Sequence, residues 1–99
     1  MNKRIIVACG SGVATSQTIA SKLTRLLEED KVNAQVEAVD YKSIYRELPS
    51  TAIYIYIAQP DAAVLEKAKE LGIHVFPGIP FLTGMGMEQV YQEIRTLID

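Results

Sequence analysis

The 99-residue chain is sized for one domain, and its 48% hydrophobic and 22% charged residues suit a packed core and exclude a disordered chain. Ten basic residues, scattered along the chain, face twelve acidic ones for a formal charge of −2, which leaves no electrostatic footprint for nucleic acid. The single cysteine excludes an internal disulfide and suits a reducing compartment, and no apolar run reaches the roughly 18 residues that span a bilayer.

Lys3 and Arg4 precede the apolar run Ile5-Ile6-Val7-Ala8. That run is too short for a signal-peptide core, and no small-residue cleavage site follows, so no leader is expected. Its β-branched residues predict a strand buried on both faces. Cys9 to Ala14 is a loop rich in small residues. From about Thr15 to Glu29, Ile19, Leu23, Leu26 and Leu27 recur at helical spacing, opposite Gln17, Ser21, Arg25 and Glu28. Ala34, Val36 and Ala38 alternate with Gln35 and Glu37, the pattern of an edge strand with one wet face. Asp40 to Pro49 reads as an irregular turn or short helix. Ala52 to Ile57 is the strongest strand, with one aliphatic and one aromatic face.

Pro60-Asp61 starts a helix that Gly72 ends, with Val64, Leu65, Ala68 and Leu71 as its apolar stripe. Ile73 to Phe76 is a short fourth strand. Pro77 to Gly86 holds two prolines and three glycines and is expected to be irregular. Val90, Tyr91, Ile94, Leu97 and Ile98 mark a final amphipathic helix from Met87 onward. Alternation of this kind predicts an α/β fold in one domain, 1–99: a four-stranded parallel sheet of order 2-1-3-4 with helices on both faces. Such sheets bind ligands at the carboxyl ends of the strands, where the winding reverses, and the first strand ends at Cys9.

The loop Cys9-Gly-Ser-Gly-Val-Ala-Thr-Ser16 carries the chemistry. A free cysteine at a strand end is often only a small buried residue, and paired glycines often only make a turn. Here the thiol stands before Gly10 and Gly12, the hydroxyls of Ser11, Thr15 and Ser16, and a helix start. Backbone N–H groups converging there favour an anion, and they favour a thiolate for the same reason. A thiolate that takes and then releases a phosphoryl group acts by double displacement. The rivals fit less well. A dinucleotide fingerprint lacks its third small residue at Thr15, although Asp40 stands where a ribose-binding acid would. A nucleotide P-loop lacks its lysine, and thioredoxin chemistry lacks a second cysteine. Low-molecular-weight tyrosine phosphatases use Cys-x5-Arg-Ser/Thr and a late acidic loop. Here Thr15 replaces the arginine, and 77–86 holds no acid. A thiophosphate that forms but resists hydrolysis is therefore expected, which suits a carrier.

At this point Ile5 to Ser16, together with Gly78-Ile-Pro-Phe-Leu-Thr-Gly-Met-Gly86, resembles the galactitol-type enzyme IIB of the bacterial sugar phosphotransferase systems, and the likeness runs through essentially the whole chain. The resemblance implies a low-molecular-weight phosphatase-like (Rossmann-like) fold and a relay. A phosphohistidine on enzyme IIA phosphorylates Cys9, and Cys9 passes the group to a sugar alcohol, galactitol by resemblance, held in the membrane-embedded enzyme IIC. Gly10, Ser11, Gly12, Val13, Ala14, Thr15 and Ser16 would cradle the phosphate. No metal or organic cofactor is implied. The protein would be cytoplasmic, not inserted in the membrane, and associated with the inner membrane through IIC. A site that must face two partners favours a monomer. His74, at the far end of the sheet from Cys9, is taken as structural. Phe81, Leu82 and Met85 are either an inward-folded connector or a docking surface for IIA or IIC. A cysteine-dependent phosphatase and a non-catalytic thiol sensor remain the alternatives.

Overall fold

The computed structural model describes residues 4–9 and 14–98. Four parallel strands, β1 (Arg4–Cys9), β2 (Gln35–Asp40), β3 (Ile53–Tyr56) and β4 (His74–Pro77), form one sheet in the order β2-β1-β3-β4. This is the predicted order. Ile5, Ile6 and Val7 are fully buried because β1 lies between two neighbours and under helices on both faces.

Alternation along the strands divides the core in two. Ile5, Val7, Ile53 and Ile55 face α1 (Ala14–Glu29), α4 (Ile79–Thr83) and α5 (Met87–Ile98), and pack with Ile19, Leu23, Leu27, Phe81, Tyr91 and Ile94. Ile6, Ala8 and Tyr54 face α2 (Ile44–Glu47) and α3 (Ala62–Glu70), and pack with Ile44, Leu48, Val64 and Ala68. Each large aliphatic side chain in these layers is worth about 2–5 kcal/mol against alanine. Short 3-10 turns at Tyr41–Ser43 and Leu48–Ser50 flank α2, as expected of this mixed stretch.

The expectation of irregular structure over 77–86 needs correction. Pro80 sits in the first turn of α4, where its missing N–H is no loss, and Gly84 caps the other end at φ +83°. The punctuation that suggested a loop therefore frames a five-residue helix. Phe81 of that helix is buried, while Leu82 and Met85 point outward at 40% and 80% exposure, so connector and surface divide residue by residue. Gly78 allows the close approach that seats α4: a Cβ there would stand 2.9 Å from the Ile55 side chain and 3.1 Å from Ile19 Cδ1 and the Tyr56 carbonyl.

At the amino end of the sheet Arg4 gathers the chain. Its guanidinium donates to Glu37 and Glu47 carboxylates, each at 2.6 Å, and to the Ser50 hydroxyl at 2.8 Å. This ties β1 to β2 and to the α2 segment, and leaves the carboxyl end for other work.

Candidate functional site

Cys9 is the last residue of β1, at the carboxyl end where the sheet winds away in both directions, to β2 on one side and β3 on the other. Its Cα is in register with that of Asp40, the last residue of β2. The ladder between β1 and β3 stops one residue earlier, at Ala8 and Tyr56. The side chain of Cys9 and residues Gly10, Ser11, Gly12 and Val13 lie outside the described residues.

Ala14, five positions past Cys9, is the first residue of α1. Ala14 is exposed, Thr15 half-buried and Ser16 fully buried. The N–H groups of a first helical turn have no intrahelical acceptor, and a 16-residue helix puts a partial positive charge at that end. No acidic side chain occupies this first turn to compete for it.

The opposite wall comes from residues that composition alone does not single out. The Asp40 carboxylate accepts the Lys42 backbone N–H at 2.9 Å and so starts the turn after β2. The Tyr41 hydroxyl accepts the Asp61 backbone N–H at 3.0 Å, which spans the sheet end from β2 to the start of α3. Ala8, Tyr41, Ala58 and Gln59 line a cavity of about 60 Å³ beneath this bridge. Tyr54 lies fully buried in the same layer, and among the described residues its hydroxyl has no partner; burial first, then Tyr41 and Asp61, push that hydroxyl's pKa well up. The signal in the sequence was positional: Asp40 ends the second strand, Tyr41 follows it, and Ala58 and Gln59 follow the third, so parallel order delivers all four to one edge.

Two concavities among the described residues lie away from the strand ends. An open trough of about 720 Å³ runs between α1 and the edge strand β2, past Ser21, Thr24, Arg25 and Val36. A smaller cleft of about 290 Å³ lies between the end of α1 and α5, lined by Glu29, Asp30, Glu88 and Tyr91. Topology and the cysteine point instead to the carboxyl ends of the strands. His74 is exposed at the start of β4, in register with Ile53 and thus at the amino end, opposite Cys9. Among the described residues, no group of three histidine, cysteine or acidic side chains is placed to hold a metal, and no helix is long and apolar enough to cross a membrane.

A cysteine ending the first strand of a small parallel sheet, five residues before a helix, stands at the strand ends where doubly wound α/β proteins bind their ligands. The sequence of the family described as the lactose/cellobiose-specific IIB subunit of the phosphotransferase system matches residues 4–93, so the chain belongs to that family. As a phosphotransferase-system IIB component it is a sugar phosphotransferase. Over 98 residues it is 26% identical to the galactitol-specific EIIB component of Escherichia coli K12, covering 99% of this chain and 98% of the relative. It is 28% identical over 96 residues to a putative phosphotransferase enzyme IIB component, SgcB, of the same organism, covering 97% of each. The lactose-specific IIB component domain from Streptococcus pneumoniae shares its fold, with a TM-score of 0.68 at 16% identity over 99% of this chain and 92% of that one.

Proposed function

We propose that the chain is one IIB domain that carries a phosphoryl group on Cys9 between a phosphohistidine of enzyme IIA and a sugar alcohol held by membrane enzyme IIC. The observation that carries this reading is the position of Cys9, at the end of β1 and before the start of α1. In the first step the Cys9 thiolate attacks phosphorus, the S–P bond forms and the donor N–P bond breaks. The imidazole nitrogen keeps that electron pair and takes a proton. In the second step a hydroxyl oxygen of the polyol attacks, the O–P bond forms and thiolate departs, the hydroxyl proton passing to a base on the acceptor side.

The backbone and hydroxyls of Gly10, Ser11, Gly12, Val13, Ala14, Thr15 and Ser16 hold the three phosphoryl oxygens, aided by the partial positive charge of α1. Thr15, where a phosphatase would carry arginine, supports a carrier: no guanidinium is there to stabilise transfer onto water. Galactitol is the proposed polyol, supported by the galactitol-specific relatives. The domain works in the cytoplasm and reaches the inner membrane through IIC.

The test is intact mass after incubation with phosphoenolpyruvate, the general phosphotransferase proteins and a matching IIA. One added phosphoryl group, absent from Cys9→Ser, is the expected result. No added group with an active IIA overturns the reading, and phosphate release from a test ester would instead favour a phosphatase.

A further inference from the structure

The rim around Cys9 is almost empty of charge. Residues 5–21 contain no Asp, Glu, Lys or Arg, and neither do 51–60 or 71–87. The exceptions at the carboxyl ends among the described residues are Asp40 at the end of β2, Lys42 just after it, and Asp61 before α3. Among the described residues, two tyrosines, Tyr41 and Tyr56, complete the titratable groups on that side; α4 contributes none, and α1 none before Lys22 in its third turn. Asp40 is the closest by register, since its Cα is the partner of Cys9 on the adjacent strand. Neighbouring strands lie about 4.8 Å apart, so the backbones of the two residues stand well within the Debye length of about 8 Å at physiological salt. It is exposed, and among the described residues it forms no ion pair.

We propose that Asp40 sets the transfer potential of the phosphoryl group on Cys9; this rests on Cys9 being the phosphorylated residue. In this reading the carboxylate takes no part in bond making or breaking and acts through its field. It is a like charge to the thiolate, and to the more highly charged phosphocysteine, so it destabilises both relative to the neutral thiol. A carrier must accept a phosphoryl group and then give it up. A cradle of N–H donors alone would hold the dianion tightly. A fixed negative charge beside it weakens that hold and favours breaking of the S–P bond when the acceptor hydroxyl attacks. The phosphatase pattern has an arginine where this sequence has Thr15, and here the strand neighbour in register with Cys9 is Asp40.

Asp40→Asn separates charge from structure, because the amide oxygen still accepts the Lys42 N–H that the carboxylate accepts now. The rate of Cys9 alkylation by iodoacetamide against pH reports the thiol without any phosphotransferase protein. At low salt the Asn variant is expected to titrate about half a pH unit below wild type, and Asp40→Glu, which keeps the charge but not the turn geometry, close to wild type. In equilibrium with phosphorylated IIA, the Asn variant should hold about two- to five-fold more phosphocysteine. Both differences should shrink at 1 M salt, where the Debye length is about 3 Å. The wild-type midpoint alone should fall toward the Asn value with salt, which keeps the test intact if the variant does not fold. Identical midpoints and unchanged phosphocysteine at low salt overturn the proposal. A shifted midpoint in a wild-type chain that never accepts phosphate overturns it together with the carrier reading, and leaves only a charge coupling between Asp40 and Cys9.

Discussion

Tyr54 shows how a single side chain can work against the fold it belongs to. Its ring fills the layer under α2 and α3, fully buried, while its hydroxyl lacks a hydrogen-bond partner among the described residues. A buried hydroxyl left unpaired costs roughly 1–3 kcal/mol of lost hydration. Tyr54→Phe keeps the ring and removes the unpaired group, so urea unfolding should shift to higher denaturant, by about 0.5–1.5 kcal/mol. A lower midpoint would mean that the hydroxyl is hydrogen-bonded in solution and that Phe leaves its partner stranded. The alternating isoleucines and tyrosines of 53–56 announced a strand covered on both faces, but not an unsatisfied hydroxyl. That depends on what Asp61 and Tyr41 do with their own donors and acceptors, since Tyr41 is already engaged with the Asp61 backbone.

Two helices end with the same geometry and different residues. After α3, the Gly72 N–H donates to the Lys69 carbonyl and the Ile73 N–H to the Ala68 carbonyl, with Gly72 at φ +75°. After α1, the Lys31 N–H donates to the Glu28 carbonyl and the Val32 N–H to the Leu27 carbonyl, with Lys31 at φ +59°. Both are left-handed caps, but only glycine occupies that region without strain from its Cβ. Lys31→Gly is therefore expected to stabilise the protein by about 0.5–1 kcal/mol, and Gly72→Ala to destabilise it by about 1–2 kcal/mol, both read as shifts in the urea midpoint at constant slope. A destabilised Lys31→Gly would show that the lysine stem contributes packing that outweighs its strain. The same contrast explains what was readable in advance. Gly72 marked the end of α3, whereas nothing about Lys31 marks a cap, and the end of α1 was placed by the close of its apolar periodicity. The short helix α4 was missed for the opposite reason: Pro80 and Gly84 are strong punctuation, and a five-residue helix between them is too short to display a period.

At the scale of the molecule, the sheet separates its duties by end. Strand order and the position of Cys9 followed from alternating strands and helices, because parallel connectivity puts every strand's carboxyl end on one side. Contacts between elements distant in sequence carried no such signal. One of them closes the α1–α5 layer: the Tyr91 hydroxyl donates to the Asp30 carboxylate at 2.5 Å and lies 2.9 Å from the Leu26 carbonyl, and Arg95 approaches Asp30 at 3.6 Å. Burial first, then the hydrogen bond to Asp30 and its negative charge, push the Tyr91 pKa up to about 12. In the unfolded chain a tyrosine ionises near pH 10. The folded state thus holds this proton more tightly than the unfolded state, and stability is whole below about pH 10 and declines as pH rises toward 12. Tyr54 shifts in the same direction and adds to the decline. Each group contributes a slope of at most about 1.4 kcal/mol per pH unit. Tyr91→Phe should lower stability at pH 7 by about 1–2 kcal/mol through the lost hydrogen bond, while removing about half of the alkaline slope. Thermal melts at pH 7 to 12 of the wild type, Tyr91→Phe and Tyr54→Phe separate the two contributions. Parallel curves for wild type and Tyr91→Phe above pH 10 would mean that Tyr91 ionises equally readily in both states, and that the α1–α5 contact opens before the rest of the molecule unfolds.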